Sequence, residues 1–161
     1  MGNYKQWECC DDLYTEFKFQ DLVSAQPPKE KGVYVIRVRM RGEKTKTITD
    51  KVQRLVTGIR WELVENRVMS RVRRLERIGQ CPVIYIGSAG THPMSKNTLR
   101  DRYKELSSRH TAMYPIWALM YFGWELEYGW KVCADSKSGE MKIKKDYQKI
   151  HKDKLPALVE R

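Results

Sequence analysis

The sequence predicts a small α/β (α+β) fold in which a few short strands are covered by helices. Three segments carry that prediction. Gly32–Met40 (GVYVIRVRM) alternates in side-chain character and is rich in β-branched residues. Residues 59–78 repeat their apolar positions every three or four places, and residues 83–86 form a short apolar run between Pro82 and Gly87. A period of two marks a strand and a period near 3.6 a helix, because those are the repeats at which side chains return to one face. At 161 residues the chain is read as one domain, 1–161. A domain of this size buries about two-thirds of its unfolded surface.

Residues 1–28 form an aromatic, acidic lead-in with Tyr4, Trp7, Tyr14, Phe17 and Phe19. Residues 1–26 are expected to pack on the body as a short helix, stopped by Pro27-Pro28. In the next segment, the strand from Gly32, Val33 and Val35 face one way and Tyr34, Ile36 and Val38 the other, with Arg37, Arg39 and Arg41 along one face. Arg41 to Lys44 reads as a turn, and residues 45–49 as a return strand. The helix expected over 59–78 has an apolar stripe of Trp61, Val64, Val68, Val72, Leu75 and Ile78, with Gly79 as its stop. Arg60, Arg67, Arg71, Arg74 and Arg77 cover its remainder. Those arginines suit either a nucleic-acid-facing helix or a solvated helix with Glu–Arg pairs. A strand over 83–86 and a loop over 88–96 come next. Asn97 or Thr98 can cap a helix running to about Arg109. An aromatic-rich helix from Pro115, a strand over 126–134 and a last helix from Glu140 to about Lys152 complete the order.

The composition is 41% hydrophobic and 32% charged, as for a soluble globular chain. The net charge of +11 is unevenly spread: two basic and five acidic residues in 1–28, fifteen and six in 29–80, fourteen and nine in 81–161. A field of that sign draws in polyanions, although it also serves plain solubility. Cys9, Cys10, Cys81 and Cys133 show no CxxC pairing and no histidine at zinc-finger spacing. They read as reduced structural thiols, with a Cys9–Cys10 redox or metal role as the alternative. His92 sits in a loop, and His151 reads as a packing or capping residue rather than a ligand. The start of the chain lacks a signal-peptide pattern, and the longest apolar run, 112–124, is broken by Pro115 and too short to span a bilayer. A cytoplasmic protein without membrane partners is expected.

Four motifs in order resemble the GIY-YIG nuclease family. Gly32-Val33-Tyr34 is similar to the first signature, and Tyr85-Ile86-Gly87, followed by Ser88-Ala89, to the second. Residues 98–103 (TLRDRY) resemble the helix bearing the family's essential arginine, here Arg102. Residues 139–147, with His151 and Leu155-Pro156 beyond, resemble the helix whose glutamate holds the metal, here Glu140. Arg102 and Glu140 are 38 positions apart, about as in related catalytic cores. The resemblance covers 32–40 and 82–158, and implies a small central antiparallel sheet flanked by helices. It departs from the family at three points. Tyr34 and Tyr85 are 51 positions apart, where the family has a short hairpin. Residues 42–80 are therefore read as a basic helical insertion, tolerable because loop-closure entropy grows slowly with length. Leu106 stands one turn after Arg102, where relatives often carry a histidine or tyrosine, leaving Tyr103 or His110 as substitutes. Leu158-Val159 replaces a polar residue often seen past the glutamate helix.

What the resemblance implies is a metal-dependent endonuclease hydrolysing phosphodiester bonds in double-stranded DNA, restriction-type enzymes included, with a homodimer as one working form. Such hydrolysis needs an activated water, relief of charge on the non-bridging oxygens and a stabilised leaving oxygen. One hard divalent cation held by Glu140, Mg²⁺ or another, serves the last two and keeps several waters. Arg102 supplies a permanently charged donor fork for phosphate. The resemblance makes Tyr34 the general base, with Tyr85 placing the water or sharing the proton, and Arg102 and the metal are expected to make a phenolate accessible. Lys96, Arg100, Lys104 and Arg109 flank this centre as phosphate contacts, and Arg67, Arg71 and Arg74 in the insertion are candidates for substrate selection. The alternatives are a non-catalytic nucleic-acid-binding module on the same fold, or a basic surface that meets an acidic protein.

Overall fold

A computed structural model describes residues 9–59, 61–92 and 94–160. Its centre is a four-stranded, wholly antiparallel sheet. The strands are β1 (Lys18–Asp21), β2 (Gly32–Met40), β3 (Val83–Ala89) and β4 (Glu125–Val132), in the spatial order β1-β4-β2-β3. The mixed class and the antiparallel sheet agree with expectation. Five α-helices cover it: α1 (Thr45–Thr57), α2 (Glu62–Val72), α3 (Leu99–Glu105), α4 (Met113–Tyr121) and α5 (Ser136–Ile150). Among the described residues, no helix is long and apolar enough to cross a membrane.

The alternation in β2 divides the core in two. Tyr34, Ile36 and Val38 join Leu126, Tyr128 and Trp130 of β4 beneath Ile48 and Val56 of α1, Met69 and Val72 of α2, Leu99 of α3 and Ile116 and Leu119 of α4. On the opposite face Val35, Val83 and Ile86 meet Tyr147 of α5 together with Cys10 and Tyr14. Arg37 shares that second face, where it pairs with Glu127 at 2.6 Å and lies 3.5 Å from the Phe19 ring centre. A register shift at Ile36/Arg37 leaves Ile84 opposite no residue of β2, so Ile84 can fill the first core while Val83 fills the second.

Three element expectations need correction. Residues 1–8 lie outside the described residues. Beyond them the chain makes a 3₁₀ turn (Asp11–Tyr14) and then β1, which adds a strand to the edge of β4 where a helix was expected. Residues 45–49 begin α1 rather than a return strand. Their β-branched content suggested a strand, but Ile48, Val52 and Val56 recur every four residues and bring one face to the core, and the Thr49 hydroxyl bonds the Thr45 carbonyl at 3.0 Å. The helix over 59–78 is also shorter and divided. Trp61, 61% exposed, stands before α2, and the chain tightens to 3₁₀ over Arg73–Arg77. Met69, Val72 and Leu75 are buried there, so the stripe survives only in its later part. Smaller shifts of boundary occur at β3, which runs on to Ala89, at α3, which stops at Glu105, and at α5, which starts four residues before Glu140.

The connection between β2 and β3 holds α1, α2 and the 3₁₀ turn, yet the strands are direct neighbours with Tyr34 opposite Gly87. Gly32 and Gly87 both stand where a side chain has no room. A Cβ on Gly87 would lie 2.6 Å from Cζ of Tyr34 and 2.8 Å from Cε1 of Tyr85, and one on Gly32 would lie 2.3 Å from the Lys131 carbonyl oxygen.

Candidate active site

Tyr34 is 1% exposed. With no side chain on Gly87, its ring lies across β3 and stacks between Tyr85, at 5.8 Å between centroids, and Tyr128, at 5.3 Å. His110, in the turn between α3 and α4, closes this group. Its Nε2 is 2.7 Å from the Tyr34 hydroxyl, and its ring meets that of Tyr85 edge-on at 5.0 Å. The Ala112 backbone N–H reaches Nδ1 at 3.0 Å. An amide N–H only donates, so the neutral ring carries its hydrogen on Nε2 and gives it to the Tyr34 oxygen. The stacked Tyr34 and Tyr85 rings also bring their hydroxyls close enough to influence each other's ionisation. His110 thus donates to a Tyr34 hydroxyl whose ring stacks on Tyr85.

Of the two substitutes for the residue after Arg102, His110 therefore reaches Tyr34. Tyr103 gives its hydroxyl to the Leu22 carbonyl at 2.7 Å and packs on Tyr128. Leu106 is core, as are Leu158 and Val159.

Arg102 is placed by α3, whose first turn is fixed by a reciprocal cap. The Asp101 N–H bonds the Thr98 hydroxyl, and the Thr98 N–H bonds the Asp101 carboxylate at 2.8 Å. From there Nε of Arg102 donates to the Ser88 carbonyl at 3.4 Å, and Nη1 donates to Glu105 at 2.6 Å. Glu105, 7% exposed, also receives Arg109 at 3.0 Å. Glu140, on the second turn of α5, accepts a hydrogen bond from the Ser88 hydroxyl and pairs with Lys144. Ser88 thus joins the two charged groups: its carbonyl holds Arg102 and its hydroxyl holds Glu140. The Glu140 charge also acts on Tyr85.

Arg102 and Glu140, from α3 and α5, meet at Ser88 of β3, while Tyr34 and Tyr85, from β2 and β3, stack on each other; the Arg102 charge acts on both phenols and the Glu140 charge on Tyr85. Their electrostatics differ from expectation in one respect. Burial drives the Tyr34 hydroxyl well above the usual phenol pKa, Tyr85 and Tyr128 push it the same way, and Arg102 only partly counters them. Tyr85 is also raised, first by burial, against the opposing influence of neighbouring Tyr34 and of the Arg102 charge. In the structure the arginine alone does not make a Tyr34 phenolate accessible. His110 is pushed down to about 4, first by burial and then by Arg102, so it is neutral at neutral pH. For Glu105, burial acts upward, but the bonds to Arg102 and Arg109 outweigh it and the pKa ends lowered.

A divalent cation at Glu140 would find one carboxylate and the Ser88 hydroxyl, a sparse oxygen set of the kind that suits Mg²⁺ with most of its waters retained. The Lys144 ammonium lies where such a cation would approach, at the end of a flexible side chain that can swing away.

The expected phosphate contacts divide into two groups. Lys96, Lys104 and Arg109 line an open cleft of about 620 Å³ together with Asn97, Asp101, Glu105 and Ser108. The cleft touches the tyrosine–arginine cluster through Glu105. Arg100 lies apart, with Nε on the Pro27 carbonyl at 3.0 Å. Between β2 and β3, Arg67 is exposed and Arg71 half-buried, while the Arg74 side chain, 16% exposed, is held by Glu160 at 3.1 Å. Reading the sequence missed Ser88 as the link and Glu105 as the clamp. The spacing of Glu105 three residues after Arg102 and four before Arg109 was the available signal for the clamp. Comparison with known proteins finds no matching family model, curated protein or solved structure.

Proposed function

We propose that this chain is a Mg²⁺-dependent endonuclease of the GIY-YIG type that hydrolyses phosphodiester bonds in DNA. The observation that carries the reading is the link through Ser88, which brings a guanidinium and a carboxylate together beside two stacked phenols. Arg102, oriented by Glu105 and the Ser88 carbonyl, binds a non-bridging phosphate oxygen. Lys96, Lys104 and Arg109 steer the backbone along the cleft. The water-activating phenol is Tyr85, the less buried of the pair, which as a phenolate would take a proton from the attacking water and become the neutral phenol. Tyr34 and His110 then orient and polarise it, an exchange of the roles expected from the resemblance. Glu140 and Ser88 would hold Mg²⁺, whose charge supports the leaving oxygen and favours the Tyr85 phenolate.

A second reading, a DNA-binding module without turnover, draws on the pairing of Glu140 with Lys144 and on the burial of Tyr34. Supercoiled plasmid incubated with the protein in Mg²⁺ or in chelator separates the two. The nuclease reading expects Mg²⁺-dependent nicking that falls by about 10²-fold or more in Arg102→Ala and Tyr85→Phe. Salt-sensitive binding without nicking would favour the second reading.

A further inference from the structure

Cys9, Cys10, Cys81 and His151 lie on the face of the sheet opposite Tyr34, where the start of the described chain, the approach to β3 and the end of α5 meet. Their four ligand atoms all lie within 4.8 Å of one another. The Cys9 and Cys10 sulfurs are 3.6 Å apart, those of Cys10 and Cys81 are 3.3 Å apart, and Nε2 of His151 lies 3.5 Å from Cys9 and 3.3 Å from Cys10. Zn–S bonds of about 2.3 Å and a Zn–N bond of about 2.0–2.1 Å, in tetrahedral array, set S···S edges of about 3.8 Å and S···N edges of about 3.5–3.6 Å. These four edges fall within about half an ångström of those values, and the other two lie within 4.8 Å. All the cysteines are free thiols.

We propose that Cys9, Cys10, Cys81 and His151 form a closed structural Zn²⁺ site. Three sulfurs and one imidazole form a soft donor set that selects zinc over Mg²⁺ or Ca²⁺, and four protein ligands leave no open position for catalysis. The surroundings hold the ligands as such a site requires. The His151 ring stacks on Tyr147 at 4.0 Å, which fixes its plane. The Arg41 guanidinium, held on the carbonyls of Gly79 and Gln80, stands close to Cys81 as a counter-charge. Binding exchanges the thiol protons for the ion, so the site couples metal to folding. It would tie the lead-in, which continues into β1, to β3 and α5. Those last two elements carry Tyr85, Ser88 and Glu140, so zinc would set the register on which the first site depends.

The test is metal analysis of untagged protein purified without chelator, followed by Co²⁺ titration of the stripped chain. One zinc per chain is expected, with thiolate-to-cobalt charge-transfer and tetrahedral d–d bands on titration. Cys81→Ser and His151→Ala should lose most of the bound zinc, whereas Cys133→Ser and Glu140→Gln keep it. If the cysteine variant fails to fold, the cobalt spectrum of the wild-type chain still decides. A folded wild-type chain that binds neither metal would overturn the proposal. So would mass spectrometry that finds Cys10 and Cys81 joined as a disulfide in the freshly purified protein.

Discussion

Replacing His110 with asparagine tests the electrostatics at the centre of the candidate site. The unfolded imidazole has its ordinary pKa of 6.5, and in the fold burial and Arg102 lower it to about 4. Between those values the unfolded chain binds more protons than the folded one, so stability falls as pH drops. The contribution is complete above 6.5 and is lost progressively down to about 4. At about 1.36 kcal/mol per pKa unit, the full span comes to about 3 kcal/mol. Asparagine keeps an acceptor for the Ala112 N–H but does not titrate in this range. Urea unfolding at intervals from pH 8 to pH 4 should show the wild type losing about 3 kcal/mol more than His110→Asn over that span. Parallel curves for the two proteins would refute the account of a buried, neutral His110. At pH 8 the variant should also cleave more slowly, because Tyr34 has lost its donor.

Other perturbations bear on the elements around it. Glu105→Gln removes a charge-assisted pair worth about 1.5–3 kcal/mol when well buried, but exposure of its arginine partners lowers the expected loss to about 1–2 kcal/mol in urea. Because the folded pKa of Glu105 is depressed, its stabilisation is full above the unfolded carboxylate value and is lost as pH falls through the folded one, so the variant should show less acid destabilisation. Gly87→Ala forces a methyl against the Tyr34 and Tyr85 rings and should cost about 1–3 kcal/mol, with a change in near-ultraviolet tyrosine dichroism. Thr98→Ala removes the cap of α3 and should cost about 1 kcal/mol, read by the same unfolding curves.

The strand over Gly32–Met40 was legible because its alternation is uninterrupted and both faces are apolar enough to fill a core. Helix α1 was not: Thr45, Thr47 and Thr49 have strand-favouring side chains, and the helical period appears only when the window extends to Val56. Strand β1 was hidden because four residues are too few for periodicity, and its pairing with β4 joins positions more than a hundred apart. For the site, tyrosines beside glycine, an arginine on a capped helix and a glutamate could be ordered along the chain. The link through Ser88 could not, since it depends on one strand residue offering its carbonyl to α3 and its hydroxyl to α5. The Cys–His group was equally hidden, because its members stand at 9, 10, 81 and 151 and only the fold assembles them.

Cleavage of end-labelled double-stranded DNA in Mg²⁺ by the wild type and by Glu140→Gln tests the central claim most directly. The account predicts that the wild type cuts and that the variant cuts at least about 10²-fold more slowly, with DNA affinity and urea stability nearly unchanged. Equal cutting by both proteins, or firm DNA binding by a wild type that never cuts, would contradict it.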